Sequence, residues 1–141
     1  MIGRILSNRY KLIAELGSGG MAWVYLAEDL VQGEKVAVKV LYPQHGQDLG
    51  FVQRFIREAK LSMVLYRSEP QPHIVQVLDY GADQDTHYLV MEYVPGQDLG
   101  QILEEQGALP WRQALELARQ VALALDQAHR HDIVHRDVKP S

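Results

Sequence analysis

Apolar and polar residues alternate from Tyr10 to Leu16 and again from Trp23 to Ala27, on either side of a turn carrying Gly17, Gly19 and Gly20. Two period-two runs around a glycine-rich turn predict a β-hairpin. A second turn over 29–34, with Gly33, leads to a valine-rich strand over 35–41. Residues 43–50 read as loop. From Phe51 the period lengthens. Phe51, Phe55, Ala59, Ser62 and Tyr66 fall on one stripe with Val52, Ile56 and Met63 beside it, so the spacing predicts a helix over 51–66. A proline-containing stretch over 68–72 breaks it. Strands are predicted over 74–80 and 86–93, joined by a polar loop containing Gly81. The sum is a five-stranded antiparallel sheet with one helix.

Pro95 and Gly96 punctuate the chain, and helices follow. One spans 98–106 and ends at Gly107. The other begins near Pro110, which suits a first turn, and runs to about Arg130. On it Leu115, Ala118, Ala122 and Leu125 share a face, and Leu117, Val121 and Ala128 a neighbouring one. Apolar residues around so much of a helix predict burial on several sides by other helices of the complete fold, and an exposed apolar patch in these 141 residues alone. Residues 133–141 are irregular. The fold class is therefore α+β, with an extension over 1–9, a sheet-bearing unit over 10–94 and the start of a helical unit over 95–141.

Composition narrows the function. The chain has 141 residues, 47% hydrophobic and 23% charged, as a soluble globular domain does. Fourteen basic and eighteen acidic residues give a formal charge of -4, which argues against a broad nucleic-acid or membrane-surface footprint. There is no cysteine, so disulfides and thiolate metal sites are excluded, and a reducing compartment fits. No signal peptide or transmembrane span is read. The most apolar long stretch, 114–128, contains Glu116, Arg119 and Asp126.

Three segments carry candidate chemistry. Gly17-Ser18-Gly19-Gly20-Met21-Ala22-Trp23-Val24 lies between two strands, so it does not fit the strand-to-helix context of a dinucleotide fingerprint. It reads either as an ordinary tight hairpin or as a flap whose backbone N–H groups face a polyphosphate. Lys39 ends Val36-Ala37-Val38-Lys39 inside an apolar strand. It reads either as an edge lysine in solvent or as a buried ammonium, which needs a carboxylate. Glu58, on the next helix, is the natural partner, although alone it would pass for a solvated residue. The third segment, His135-Arg136-Asp137-Val138-Lys139-Pro140-Ser141, matches the catalytic-loop pattern of protein kinases. There Asp137 accepts the proton of the substrate hydroxyl and Lys139 neutralises charge on the transferring group. Three such segments in this order, each in the right structural context, decide between the readings. His129, His131 and His135 lie close together, but no carboxylate or thiolate cluster supports a metal site. Trp23 and Trp111 read as packing residues.

The stretches NRYKLIAELGSGGMAWVYLAED, VAVKVL, RFIREAK, HIVQVLDYG and YLVMEYVPGQDL resemble a eukaryotic-like protein kinase, most of all the bacterial serine/threonine kinases, over residues 8–141. The resemblance implies ATP-dependent phosphoryl transfer to Ser/Thr hydroxyls of proteins, with Mg²⁺ in the complete domain. It places Leu16, Val24 and Ala37 around the adenine, with Gly17, Ser18, Gly19 and Gly20 over the phosphates. Met91 stands as the gatekeeper. The backbones of Glu92 and Val94 face the adenine edge, and Asp98 the ribose. His135 braces the catalytic loop, and Arg136 reads a phosphorylated activation loop. Lys139 favours Ser/Thr over Tyr. The resemblance further implies a cytoplasmic kinase segment, a parent protein free to carry a membrane anchor elsewhere, and a kinase–kinase dimer.

Departures from the family pattern are Ala22 at the third flap glycine, as in many members, and Gln71-Pro72-His73 before Ile74. The asparagine and the Asp-Phe-Gly aspartate that hold Mg²⁺ in this mechanism are not among these residues, so no metal ligand is assigned. The alternative is a short pseudokinase-like nucleotide-binding or scaffold module. Lys39, Glu58 and Asp137 together argue for the kinase, because a scaffold has no chemical need of all three. The 141 residues alone are expected to be poorly soluble and catalytically inactive. Phosphotransfer by the purified chain to a protein substrate, above that of Asp137→Asn, would contradict this.

Overall fold

The computed structural model describes residues 1–68, 73–135 and 138–140, with backbone alone for Glu58 and for 64–68. The chain forms two compact units, Met1–Arg67 with Val75–Val94, and Ser68–Ile74 with Pro95–Ser141.

The first unit is built on a sheet of six strands, β1 Ile5–Leu6, β2 Tyr10–Ser18, β3 Ala22–Asp29, β4 Glu34–Leu41, β5 Val77–Asp83 and β6 Thr86–Glu92. Their order is β1-β2-β3-β4-β6-β5 and all neighbours are antiparallel. Five strands were expected. The sixth, β1, pairs Ile5 with Lys11 and Leu6 with Tyr10. Two residues are too few for alternation to register. The β1–β2 turn has positive φ at Ser7 (48°) and Asn8 (56°), and the Arg9 N–H donates to the Leu6 carbonyl at 2.9 Å. This is a type I′ hairpin turn without the usual glycine.

Two helices accompany the sheet rather than one. Residues Pro43–Gly46, expected as loop, form the short helix α1, whose first position is proline with φ preset for a helix. Helix α2 spans Leu49–Ser68. It begins two residues before Phe51 because Asp48 caps it, its Oδ1 accepting from the N–H groups of Gly50 (2.8 Å) and Phe51 (3.2 Å). Strand β5 starts at Val77, three residues after the expected Ile74.

Strand side chains alternate between two faces. Val36, Val38 and Val40 of β4 join Leu6, Tyr10, Leu12, Tyr25, Ala27, Tyr88 and Val90 in one buried cluster. The sheet rolls around it, so that β1 and β2 approach β5 and β6. Arg4 donates to Thr86 Oγ1 (3.1 Å) and to Asp83 Oδ2 (3.3 Å). Tyr10 Oη donates to Asp79 Oδ2 at 2.7 Å, and Tyr88 Oη to Ser7 Oγ at 2.7 Å. Register shifts between Leu12 and Ala14, Glu15 and Gly17, and Val77 and Asp79 supply the bend. A Cβ at Gly81 would lie 2.7 Å from Tyr88 Oη, so a larger residue there needs the Tyr88 ring to shift. On the other face, Val52, Phe55 and Ala59 of α2 pack on Leu41, Val77 and Leu89. Each of the buried Val, Leu and Phe side chains contributes roughly 1.5–3 kcal/mol.

Helix α3 covers Leu99–Gln106 and helix α4 Trp111–Arg130, both in the second unit. Positive φ at Gly107 (75°) ends α3. Glu116 of α4 accepts two hydrogen bonds from Arg119, at 2.9 and 2.7 Å, and these, with Gln120, lower its pKa to about 2. Trp111, read as a packing residue, is 70% exposed, and Leu115, Val121 and Leu123 are exposed as well. Among the described residues no helix is long and apolar enough to cross a membrane.

Asp29, at the end of β3, is only 2% exposed. Its carboxylate accepts from Arg9 Nε (2.9 Å) and Nη2 (2.7 Å) and from the N–H groups of Val31 (3.0 Å) and Gln32 (3.3 Å). The Arg9 hydrogen bonds hold its carboxyl below the usual carboxylate range despite burial. Asp29→Ala leaves these donors unmatched and is expected to cost about 2–3 kcal/mol in denaturant unfolding. Because the folded-state pKa is depressed, the Asp29 contribution is complete above about pH 4 and fades as pH falls through the native value. The stability gap between wild type and Asp29→Ala should therefore narrow on acidification.

Candidate functional site

The strand register assembles the site of the first unit. Ala37, Lys39 and Leu41 of β4 face away from the rolled core. Ala37 is opposite Leu26 on one side and Met91 on the other, and Lys39 is opposite Val24 and Leu89. Gly17 in turn is opposite Val24. Directly paired residues share a face with Cβ atoms about 4.5–5.5 Å apart, so Val24, Ala37, Lys39 and Met91 form one contiguous patch. Its apolar part is Val24, Ala37 and Met91, with Leu26 among them. Its cation is Lys39. Among the described residues, helix α2 packs on this face at Leu41, Val77 and Leu89.

Lys39 is half-buried, with Nζ 5.9 Å from the centre of the Phe55 ring. Glu58 stands three residues after Phe55 on α2, neighbouring positions on a helix surface. Its side chain lies outside the described residues.

The hairpin between β2 and β3 is tight, with the Gly19 N–H donating to the Ala22 carbonyl at 2.9 Å. A Cβ added at Gly17, Gly19 or Gly20 would meet nothing within 4 Å, and none of the three has positive φ. Packing within the unit therefore does not demand glycine here. What glycine leaves is open space beside the backbone, which a ligand's phosphates can occupy. Ser18, between them, is exposed and opposite Trp23. Leu16 falls in the register shift between Glu15 and Gly17 and is exposed, at the rim of the patch.

At the other end of the patch, the Glu92 N–H donates to the Gln76 carbonyl (2.9 Å), while Glu92 Oε1 accepts from the Gln76 N–H (2.7 Å). The Glu92 N–H is thus committed within the unit. Val94 follows two residues after the end of β6 and is exposed.

In the second unit Asp98 caps α3. Its Oδ1 accepts from the Gln101 N–H at 2.8 Å, and Gln101 Oε1 accepts from the Asp98 N–H at 3.1 Å. This capping box commits one carboxylate oxygen to the helix. The Pro140 carbonyl accepts from the Gly100 N–H at 2.9 Å, tying the segment that carries Lys139 to the first turn of α3. Lys139 and His135 are exposed. Arg136 and Asp137 lie outside the described residues.

The reading of single residues missed Leu26 and Leu89, which share the patch. Alternation from Val24 would have included Leu26. A further concavity of the first unit is lined by Arg9, Tyr10, Asp29, Gln32, Leu78, Asp79 and Val90. Its charged groups are bonded mainly to one another.

The chain matches the family described as protein kinase domain over residues 10–141. It is similar to serine/threonine-protein kinase PrkC of Bacillus subtilis, 41% identical over 140 residues, covering 99% of this chain and 21% of that protein. It is likewise similar to serine/threonine-protein kinase PknA of Mycobacterium tuberculosis, 42% identical over 144 residues, covering 99% of this chain and 32% of that protein. Among solved structures, the PknI kinase domain of Mycobacterium tuberculosis superposes with a TM-score of 0.80 at 33% identity, over 99% of this chain and 55% of that one. Rad53 residues 1–466 in complex with AMP-PNP superpose with a TM-score of 0.77 at 28% identity, over 94% of this chain and 33% of that one. The chain belongs to the protein kinase family, and it spans a fifth to a third of the length of these two bacterial relatives.

Capping and any ligand role of Asp98 are separable. Asp98→Ala should destabilise α3 by about 1 kcal/mol, whereas Asp98→Ser keeps a cap and should cost a few tenths. Amide hydrogen exchange along α3 reads the difference.

Proposed function

We propose that this chain supplies the nucleotide-binding part of an ATP-dependent serine/threonine protein kinase. The observation that carries the proposal is the register of β3, β4 and β6, which sets an apolar surface beside a half-buried lysine, next to a glycine hairpin with open space along its backbone. Bound ATP would supply the transferable γ-phosphoryl group, with Mg²⁺ as its counter-ion.

Each role suits the chemistry of its residue. Leu16, Val24 and Ala37 offer apolar surface to the adenine, and Met91 closes its inner edge. The Glu92 carbonyl and the Val94 backbone meet its polar edge. The N–H groups of the segment Gly17, Ser18, Gly19 and Gly20 face the phosphates. Lys39, oriented by Glu58, neutralises the α- and β-phosphates. Asp98 turns its second carboxylate oxygen to the ribose. Asp137 accepts the proton of the attacking Ser or Thr hydroxyl, and Lys139 offsets charge on the phosphoryl group in flight. Protein substrates carrying Ser or Thr are the partners, and a kinase–kinase dimer in the parent protein belongs to the same reading. A cytoplasmic setting fits an ATP-dependent activity in a cysteine-free chain.

The test uses the full-length protein. Calorimetric titration with ATP and Mg²⁺ should give saturable binding. Lys39→Met should reduce phosphotransfer to a serine-containing protein by roughly 10²–10³-fold, and Asp137→Asn should reduce it at least as far. Absence of ATP binding by the wild type, or full transfer by Lys39→Met, would overturn the reading.

A further inference from the structure

The residue after β4 has no role in the site as described, yet it holds the tip of the glycine hairpin. Tyr42 Oη donates to the Gly19 carbonyl at 2.7 Å, a favourable O–H···O length. The Tyr42 N–H donates to the Met21 carbonyl at 2.9 Å. Its ring packs edge-on against Trp23 of β3, with centroids 4.4 Å apart and planes at 77°. Its own carbonyl accepts from His45 (2.9 Å) and Gly46 (3.2 Å) at the start of α1. His45 stacks on Phe51 of α2 at 4.3 Å, and the Arg54 guanidinium lies 4.5 Å over the Phe51 ring. A continuous chain of contacts therefore runs from the hairpin tip to the first turns of the helix that carries Glu58.

A peptide unit is planar, and in the trans form its C=O and N–H point in opposite directions. Anchoring the Gly19 carbonyl consequently aims the Gly20 N–H away from Tyr42. Between two glycines with empty space around them, rotation of that unit meets little steric resistance. We propose that Tyr42 is a positioning residue, a latch that fixes the Gly19–Gly20 peptide so that its N–H is preorganised for a phosphate oxygen. The latch stands on the geometry alone, and its consequence for ATP rests on the functional reading above.

Tyr42→Phe in the full-length protein removes the hydroxyl and keeps the ring and both backbone bonds. Loss of one such hydrogen bond corresponds to about a three- to tenfold effect. Hydrogen exchange of the peptide spanning 17–23 should accelerate by that factor while peptides of β4 and the melting temperature stay unchanged. The KM for ATP should rise by a similar factor with kcat within about twofold. Unchanged exchange at 17–23 would overturn the latch. Faster exchange throughout the sheet with a lower melting temperature would overturn it too, assigning Tyr42 to the core instead. Faster exchange confined to 17–23 with an unaltered KM would overturn the nucleotide role. If the wild type binds no ATP, the functional reading fails, whereas the exchange comparison still decides the latch.

Discussion

The central strand β4 divides its residues between two tasks, and the first unit depends on that division. Val36, Val38 and Val40 point into the rolled core, where they meet Tyr25, Ala27, Tyr88 and Val90. Ala37, Lys39 and Leu41 point the other way, toward the patch and α2. A shift of one residue in the pairing of β4 would turn the lysine into the core and a valine into the site. The cost of burying an unpaired ammonium works together with the gain from burying three valines, so one register satisfies both. The precision of the site is inherited from the packing on the reverse side of the same strand.

Much of this was legible in the residues themselves. Alternation in VAVKVL put Ala37 and Lys39 on one face, and the two glycine-flanking runs gave the hairpin. Of the predicted helical stripe, Phe55 and Ala59 pack on the sheet, joined by Val52 from the positions beside it. What escaped was short or set by distant partners. Strand β1 has two residues and owes its place to Tyr10 and Lys11 across the turn. Helix α1 has four, and a proline at its first position also suits a loop. The start of β5 depends on where β6 offers partners, which no local pattern records. For the site, the family resemblance named Val24, Ala37 and Met91, and the motif named Lys39, but neither named Leu26 and Leu89, which the strand register sets beside them. Asp98 was assigned by its position in the family pattern, while its spacing to Gln101 also spelled a capping box. Asp137 and the Glu58 side chain rest on the sequence motifs alone.

The rolled sheet is held at its seam by polar groups rather than by strand pairing. Arg4 reaches Asp83 and Thr86, Tyr10 reaches Asp79, and Tyr88 reaches Ser7. Exposed ion pairs contribute little, so the weight falls on the buried members. Burial, and then the Asp79 hydrogen bond, push the Tyr10 hydroxyl well above its ordinary pKa, which keeps it a donor across the range in which proteins remain folded. Arg9 and Asp29 tie the start of β2 to the end of β3 in the same manner.

The strand order has a consequence for how the chain is made. Strands β2, β3 and β4 form a meander of local contacts, but the other neighbour of β4 is β6, and residues 42–85 lie between them. During synthesis the meander emerges first, with the valine-rich β4 as a bare edge. An unpaired apolar edge is a template for pairing with other chains. Until Thr86–Glu92 arrives and zips onto it, the strand that carries Lys39 is a part of the nascent protein open to aggregation.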